Sequence, residues 1–364
     1  MSDPAEPAAL AIARLVPAIT GALDALEDAA RHLDLASLSS LARRVAARRE
    51  PLSAALLASR ALSWPERLQP LRECLEAAGA EALQAVIGLE AAEEEPDPLR
   101  AARRAWRSAA RSSEALYPLA GFLGLVSRHF IEPAQRDDPA VKARLGSARP
   151  GRDGVGTMHL GGPPGTRGGA SLYVPEYLDE ADAAPLIVAL HGGSGNGAAF
   201  LWSWLRTART RGAILLAPTA IGDTWSLTEP QVDGPRIARL IAELGQRWRV
   251  DGQKILLTGM SDGGTFTYSW GLGDACPATH LAPVAAGYHP ILMGFADPPR
   301  LRSLPVRIVH GARDWMFAVA TARDAERTLR AAGAAVTYCE IADLAHCYPR
   351  EENGAILDWF LGKG

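Results

Sequence analysis

The sequence predicts an α/β domain, in which a mostly parallel central sheet has helices on both faces, preceded by an all-α helical N-terminal domain. Two observations predict it. Residues 1–135 are rich in Ala, Leu, Arg and Glu, and their apolar residues recur at helical spacing. In residues 156–364, short apolar runs alternate with helical patterns, which is typical of strands buried on both faces of a parallel sheet.

The composition limits the class of protein. The chain has 364 residues, of which 48% are hydrophobic and 22% charged, and its formal net charge is -3. These values are ordinary for a globular chain of about two domains, and they give no indication of nucleic-acid binding. The four cysteines lack the spacing of a disulfide framework or a zinc site. We therefore expect reduced thiols and a cytoplasmic location. No cluster of His, Asp and Glu has metal-ligand spacing either, so we expect no metal.

The first twenty residues do not resemble a signal peptide. They begin acidic, and Arg14 and Pro17 interrupt their apolar residues, so a basic region and a continuous apolar core are both missing. No uninterrupted apolar run approaches the roughly 18 to 20 residues that span a bilayer. We therefore expect no integral membrane association.

The helical domain, residues 1–135, is predicted to be a bundle of about four or five helices. Pro51, Pro65 and the segment EEEPDP (93–98) are expected to separate helices, because proline is costly inside one. Arginines recur at helical spacing between Arg100 and Arg111. We interpret this stripe as a solvated face balanced by neighbouring Glu; a surface for a polyanion or a partner is the alternative.

Residues 136–155 are rich in Pro and Gly and are predicted to be a linker. Just before it, the segment FLGLVSRHFI (122–131) is apolar on more than one face. A lone bundle would leave part of that surface exposed. We therefore expect the helical domain to pack against the α/β domain or against a second copy of the chain, which would make a homo-oligomer.

The α/β domain, residues 156–364, is predicted element by element. The predicted strands are 171–175, 185–190, 212–218, 254–259, 281–287, 305–311 and 335–343. The predicted helices are 197–211, 233–248, 262–272, 317–332 and 351–362. Ligands of such sheets bind beyond the carboxyl ends of the strands, so the residues that follow each strand are the candidates for a site.

A serine lies between glycines where one predicted strand ends, in GMSDGG (259–264). A tight turn that needs glycine is the structural explanation. The chemical one is the pattern Gly-x-Ser-x-Gly, in which a sharp strand-to-helix turn lifts the serine hydroxyl out of the sheet. A serine nucleophile needs an adjacent base, which a third group must orient. Ser261 is therefore a candidate nucleophile if partners follow other strands.

Such partners are present. His346, in DLAHCYP, follows the last predicted strand, and Asp314, in HGARDWMF, follows the strand before it. His289 and His310 also end strands and compete for the role of base. The order Ser261, Asp314, His346 is the one found in α/β-hydrolases. We predict these three as the catalytic residues.

Acyl transfer also needs hydrogen-bond donors for the oxyanion that develops. The loop GGSGNG after the strand 185–190 could present backbone N–H groups without hindrance from side chains. We predict Gly193 as the first donor, with Ser194 as a second choice for it, and the N–H of Asp262 as the other donor. Cradling a phosphate is the alternative, but the loop lacks the P-loop and dinucleotide patterns.

These motifs carry a resemblance. From about Gly156 onward the chain resembles the α/β-hydrolase superfamily of serine esterases, and most of all the phospholipase/carboxylesterase and polyhydroxybutyrate-depolymerase-like esterases. The matching segments are 185–193, 214–227, 250–264, HGARDWMF and LAHCYP. The resemblance implies hydrolysis of carboxylic esters without a cofactor, through an acyl-enzyme on Ser261 with His346 as base. It also implies a small-molecule or lipid-like ester substrate.

Two other functions are compatible with the same residues. One is a thioesterase or peptidase that uses the same triad, because the oxyanion chemistry is shared. The other is a non-catalytic binding protein whose function resides in the helical domain.

The sequence departs from the family at Asp262, where such esterases often carry Ala or Gln. A carboxylate there could oppose the oxyanion unless its side chain points away.

The substrate pocket is the least determined part. The stretch 288–304, between two predicted strands, is too short for a large cap. Aromatic residues near strand ends could line a pocket, although each is equally typical of a plain core position. These candidates are Trp225, Tyr288, Trp315 and Phe317.

Overall fold

The computed structural model describes residues 5–363, which divide into two compact units after Glu132. The first unit is helical. Its helices are α1 (Ala5–Arg31), α2 (Leu38–Ala46), α3 (Arg49–Ala61), α4 (Gln69–Glu90), α5 (Pro98–Leu116) and α6 (Gly124–His129). The predicted all-α domain is thereby confirmed. Its packing against the second unit or a second copy stays a prediction.

Prolines enter these helices where the backbone tolerates them. Pro51 does not separate two helices, as we expected, but lies in the first turn of α3. There its missing N–H costs nothing, because the first N–H groups of a helix have no intrahelical acceptor. Pro98 begins α5, whose N-cap residue Asp97 accepts a hydrogen bond from the N–H of Arg100.

Helix α1 corrects our expectation about apolar length. Over Glu6–Arg31 it is long and apolar enough to cross a membrane, because one window of 18 residues within it has a mean hydropathy of 1.6. The sequence search missed it because scattered polar residues interrupt each apolar run. Buried core helices pass the same test, and Leu15, Ile19 and Leu26 are buried inside the helical unit. This is weak evidence for a membrane span, and the absence of membrane association stays a prediction.

The arginine stripe lies on α5 and makes ion pairs with glutamates. Arg104 pairs with Glu95 at 3.1 Å and Arg111 with Glu81 at 2.9 Å. Exposed pairs of this kind contribute at most about 1 kcal/mol each. These contacts fit a solvated, charge-balanced face.

The segment predicted as a linker contains a helix, α7 (Pro139–Gly146), and belongs to the second unit. Asp138 caps this helix by accepting from the N–H of Ala140 at 2.7 Å. Farther along, the N–H of Arg149 donates to the carbonyl of Glu176 at 3.0 Å. The capping signal Asp-Pro outweighs the Pro- and Gly-rich composition on which we based the linker.

The second unit is built on a single eight-stranded sheet. Its strands are β1 (Gly156–Leu160), β2 (Ala170–Val174), β3 (Ala184–Leu190), β4 (Ile214–Pro218), β5 (Val250–Met260), β6 (His280–Val284), β7 (Pro305–Gly311) and β8 (Ala335–Ile341). They lie in the order β1-β2-β4-β3-β5-β6-β7-β8, and only the pairings of β2 with β1 and with β4 are antiparallel. This is the α/β-hydrolase fold. The predicted fold class is confirmed, although β1 was not predicted because its half-buried residues form no apolar run.

The remaining helices cover the sheet. They are α8 (Gly197–Arg211), α9 (Gly234–Arg247), α10 (Asp262–Gly271), α11 (Pro298–Leu301), α12 (Val319–Ala331) and α13 (Glu352–Leu361). The connection from β6 to β7 carries only a 3-10 turn, Pro290–Phe295, and the four-residue α11. It therefore has no room for a large cap, as the sequence predicted. The parallel strands β3 to β8 all end at the same edge of the sheet, where the candidate residues lie.

Candidate active site

Ser261 lies at the turn between β5 and α10. Its backbone has φ 56° and ψ -121°, a conformation that non-glycine residues rarely adopt. The neighbouring glycines make this turn feasible. A Cβ on Gly259 would lie 2.5 Å from the carbonyl carbon of Gly263, and a Cβ on Gly263 would lie 2.5 Å from the carbonyl oxygen of Leu190. The strand and the helix thus approach more closely than any larger residue would allow.

The structure brings Ser261, His346 and Asp314 together. The Nε2 atom of His346 lies 3.0 Å from the Ser261 hydroxyl oxygen, and its Nδ1 atom lies 2.8 Å from Oδ2 of Asp314. All three side chains are buried. Because a carboxylate can only accept, Nδ1 carries a proton, and in the neutral imidazole Nε2 is left to accept from the serine hydroxyl.

Asp314 is held in place from two sides. Its Oδ1 atom accepts hydrogen bonds from the N–H groups of Met316 at 2.9 Å and Phe317 at 2.8 Å, while Oδ2 faces His346. Burial raises the pKa of this carboxyl, but the hydrogen bonds from His346 and the Phe317 N–H outweigh burial, so its pKa lies below the ordinary value. Asp314 therefore stays ionised and keeps accepting from the imidazole.

The loop after β3 lies directly against the serine turn. A Cβ on Gly192 would lie 3.4 Å from the Cβ of Ser261, and a Cβ on Gly193 would lie 2.7 Å from Oδ2 of Asp262. Within residues 5–363, the N–H groups of Gly193 and Asp262 have no hydrogen-bond acceptor. By contrast, the N–H of Ser194 donates to the carbonyl of Asp223 at 3.1 Å. Ser194 is thus a poor alternative to Gly193, because its N–H is already used to hold the loop.

A histidine that the sequence analysis did not single out supports this loop. Nδ1 of the buried His191 lies 2.7 Å from the carbonyl oxygen of Gly192, and Nε2 accepts from the N–H of Ala220 at 3.1 Å. Burial lowers the pKa of His191 to about 4, which the hydrogen bond to the Gly192 carbonyl only partly offsets. The imidazole is therefore neutral and joins two loops.

Trp225 differs from its predicted place as a pocket residue. It is only 2% exposed, its indole N–H donates to the carbonyl of His191 at 2.7 Å, and its ring contacts those of His191 and Phe266. A tryptophan that is almost fully buried and whose N–H already has an acceptor has little surface left for a substrate. Its position supports the loop from below.

The other predicted pocket residues fall into two groups. Trp315 and Phe317 have ring centroids 5.7 Å and 5.4 Å from that of His346, and Trp315 is 51% exposed. Tyr288 is instead buried in the core, with its ring edge-to-face against Tyr268 at 5.3 Å. Two of the three therefore lie beside the candidate base, and the third does not.

The competing histidines lie elsewhere. His310 is buried beneath the site; its Nε2 lies 2.8 Å from the carbonyl oxygen of Phe317 and 3.7 Å from Oδ2 of Asp314. His289 is exposed, and its Nδ1 accepts from the N–H of Ile291. Neither has a hydrogen bond to Ser261 within the described residues. No group of three or more metal-ligating side chains occurs in residues 5–363 either.

No protein-family model matches the chain, and no curated protein matches it. Solved structures are similar to parts of it. A thermostable esterase is 20% identical with a TM-score of 0.45, over 53% of this chain and 58% of that one. A carboxylesterase of Bacillus cereus is 16% identical with a TM-score of 0.44, over 54% and 94%. The acylaminoacyl peptidase of Pyrococcus horikoshii is 14% identical with a TM-score of 0.42, over 53% and 38%. The chain thus spans little more than half the length of that thermostable esterase.

Proposed function

We propose that the protein is a serine hydrolase that cleaves carboxylic ester bonds through an acyl-enzyme on Ser261. The observation that carries the proposal is the continuous chain of hydrogen-bond partners from Ser261 to Asp314. The serine Oγ lies 3.0 Å from Nε2 of His346, and the other ring nitrogen lies 2.8 Å from the Asp314 carboxylate. These are the distances and the order of partners that general-base activation of a serine needs.

In the first half of the reaction, the Ser261 oxygen attacks the ester carbonyl while its proton passes to Nε2 of His346. Asp314 keeps the imidazole in the tautomer that can accept this proton and stabilises the imidazolium that forms. The negative charge on the carbonyl oxygen is met by the N–H groups of Gly193 and Asp262, which have no acceptor of their own. When the tetrahedral intermediate collapses, His346 returns the proton to the leaving alcohol.

In the second half, water takes the place of the alcohol. His346 removes a proton from this water as it attacks the acyl carbon, and the same two N–H groups stabilise the second oxyanion. As the bond between the acyl carbon and the Ser261 oxygen breaks, His346 gives this proton to that oxygen, which releases the carboxylic acid and restores the Ser261 hydroxyl. The atoms balance as one ester plus one water giving one acid and one alcohol.

The rim of the site favours apolar esters. Trp315 and Met316 follow Asp314 directly, and their exposed fractions are 51% and 42%. The hydrogen bonds from the Met316 and Phe317 N–H groups to Asp314 hold this segment in place. A fixed apolar surface next to the base suits the acyl or alcohol part of a small-molecule or lipid-like ester. The absence of a metal and of other cofactors, a cytoplasmic location and homo-oligomer formation stay predictions.

The proposal is tested by hydrolysis of p-nitrophenyl acetate, butyrate and octanoate by the purified chain. We expect turnover of the esters, and loss of about 10⁶ in kcat for Ser261→Ala with an unchanged melting temperature. An alkyl fluorophosphonate should phosphonylate Ser261 with loss of fluoride, and so add the mass of its phosphonyl group to the peptide that contains Ser261 and to no other. Inactivity towards all three esters together with an unlabelled Ser261 would refute the proposal.

A thioester and a p-nitroanilide with the same acyl group as the ester distinguish an esterase from a thioesterase and a peptidase. The same triad can act on all three bonds, so only the ratio of kcat/KM values assigns the class. We expect the ester to exceed the anilide by a wide margin. A preference for the thioester or the anilide would keep Ser261 as nucleophile and change the substrate class.

A further inference from the structure

Asp262 carries a carboxylate next to the proposed oxyanion site, and its direction is well defined. Its Oδ2 atom accepts a hydrogen bond from the Thr224 hydroxyl at 2.6 Å. The same oxygen would lie 2.7 Å from a Cβ on Gly193. The carboxylate therefore fills the space between Thr224 and the backbone of the glycine loop.

Thr224 is not a free surface residue, because the segment around it is anchored. The buried Asp233 accepts from the N–H of Ile221 and from the N–H of Ser226, both at 2.9 Å. Between these anchors, the Trp225 indole donates to the carbonyl of His191. The segment 221–226 is thus a fixed support on which the Thr224 hydroxyl has a defined position.

The glycine loop depends on this support at two further points. The N–H of Ser194 donates to the carbonyl of Asp223, and the N–H of Ala220 donates to His191 at the start of the loop. The carboxylate of Asp262 closes the remaining side, because it fills the space beside Gly193 that a side chain there would need. Asp262 is therefore positioned to hold Gly193 in place, while its own backbone N–H has no acceptor among the described residues.

We propose that Asp262 is a positioning residue for the oxyanion hole, in which its carboxylate, bonded to the Thr224 hydroxyl, seats the Gly193 backbone opposite the Asp262 N–H. The proposal rests on the proposed esterase function. Its physical basis is that donors stabilise an oxyanion only when they are held in advance at the correct place. The carboxylate is required here as an acceptor for Thr224, and its charge is not what acts on the oxyanion.

Four variants separate this role from a structural one. Thr224→Val removes the hydroxyl at constant shape and Thr224→Ser restores it; Asp262→Ala removes the acceptor and Asp262→Asn keeps one without the charge. We expect the Val and Ala variants to lower kcat by about tenfold or more with KM within threefold, because transition-state stabilisation alone is lost. We expect the Ser and Asn variants to stay within threefold of wild type.

A second readout reports on the oxyanion hole directly. An alkyl boronic acid forms a tetrahedral adduct on a reactive serine, with an oxygen where the oxyanion would lie. Its inhibition constant should rise in Thr224→Val and Asp262→Ala by the same factor as kcat/KM falls. An acid in the first turn of α10 also stabilises that helix. A purely structural role would lower the melting temperature in both Asp262 variants and leave the inhibition constant unchanged, which would overturn the proposal.

The role of Asp262 can fail while the esterase function stands. If wild type hydrolyses esters and Ser261→Ala does not, the function stands whatever the Asp262 variants do. If the Thr224→Val variant folds and its kcat and boronate inhibition constant equal those of wild type, the positioning role is refuted. Should that variant not fold, Asp262→Asn decides, since an activity as low as that of Asp262→Ala would show that the charge, and not the hydrogen bond, is needed.

Discussion

Two histidines lie at the same edge of the sheet, His191 after β3 and His346 after β8, and both are buried. Their partners differ. Nε2 of His191 accepts from the backbone N–H of Ala220, whereas Nε2 of His346 faces the hydroxyl of Ser261. Nδ1 of His191 lies against a neutral carbonyl, and that of His346 against a carboxylate. One ring is a fixed link between loops, and the other has the partners of a general base.

The difference shows that burial alone does not decide what a histidine can do. Burial lowers the pKa of His191 to about 4, and the hydrogen bond to the Gly192 carbonyl and the charges of Asp233 and Asp262 only partly offset this, so a proton is not taken up at neutral pH. His346 has Asp314 in contact, whose charge can stabilise an imidazolium as it forms. A proton carrier needs a counter-charge on one nitrogen and a reactive hydroxyl on the other.

The largest expected effect comes from replacing His346, and the matched replacement of His191 is its control. His346→Ala should lower kcat by about 10⁶, because the serine loses its base. His191→Gln keeps an acceptor for the Ala220 N–H and should cost only about tenfold to a hundredfold, through a less well held oxyanion loop. The measurement is p-nitrophenyl butyrate hydrolysis. An inactive His191→Gln beside an active His346→Ala would reverse the assignment of the two roles.

Removing the counter-charge from His346 should have the next largest effect. In Asp314→Asn the amide can donate to Nδ1 and so favour the wrong tautomer, and we expect a loss of about 10⁴ in kcat. Binding should change little, so that KM for p-nitrophenyl butyrate stays within a few-fold. Steady-state kinetics with circular dichroism as a folding control checks this. Activity near that of wild type would mean that the carboxylate does not distinguish His346 from His191.

The lowered pKa of His191 should make the free energy of unfolding depend on pH. Its pKa falls from an ordinary 6.5 to about 4 on folding, so the unfolded chain binds the proton more readily. The contribution of neutral His191 to the free energy of unfolding is therefore fully present above about pH 6.5 and is lost as the pH falls towards 4. The loss between pH 7 and pH 5 is about 2 kcal/mol. Urea unfolding at both pH values measures this loss. Burial lowers the pKa of His280 in the same direction, so His191→Gln should remove only part of the slope.

The smallest effects should come from replacing His310 and His289, which have no hydrogen bond to Ser261 within the described residues. His310→Ala should lower kcat/KM by tenfold or less, about 1.4 kcal/mol, because its ring contacts Asp314 only at 3.7 Å and otherwise faces the Phe317 carbonyl. His289→Ala should match wild type, since that side chain is exposed. Ester hydrolysis by both purified variants tests this. A loss of more than a thousandfold in His310→Ala would make that ring part of the proton relay.

The sequence by itself determined the features that depend on neighbours along the chain. Apolar runs such as 185–190 and 305–311 form buried strands because only a sheet covered on both faces hides continuous apolar residues. The glycines around Ser261 predicted the turn because no other residue fits so close to the next element. The order Ser261, Asp314, His346 then followed from strand ends that must meet at one edge of the sheet.

What only the tertiary structure decided are contacts between segments far apart in the chain. The indole of Trp225 donates to the carbonyl of His191, which keeps the ring out of the pocket. The N–H of Ser194 donates to the carbonyl of Asp223, and the carboxylate of Asp262 accepts from the Thr224 hydroxyl. Nothing in the sequence near these residues signals such partners. The direction of a side chain or an N–H group depends on which donor or acceptor the completed fold places within about 3 Å of it, because a buried polar group left without a partner costs about 1–3 kcal/mol.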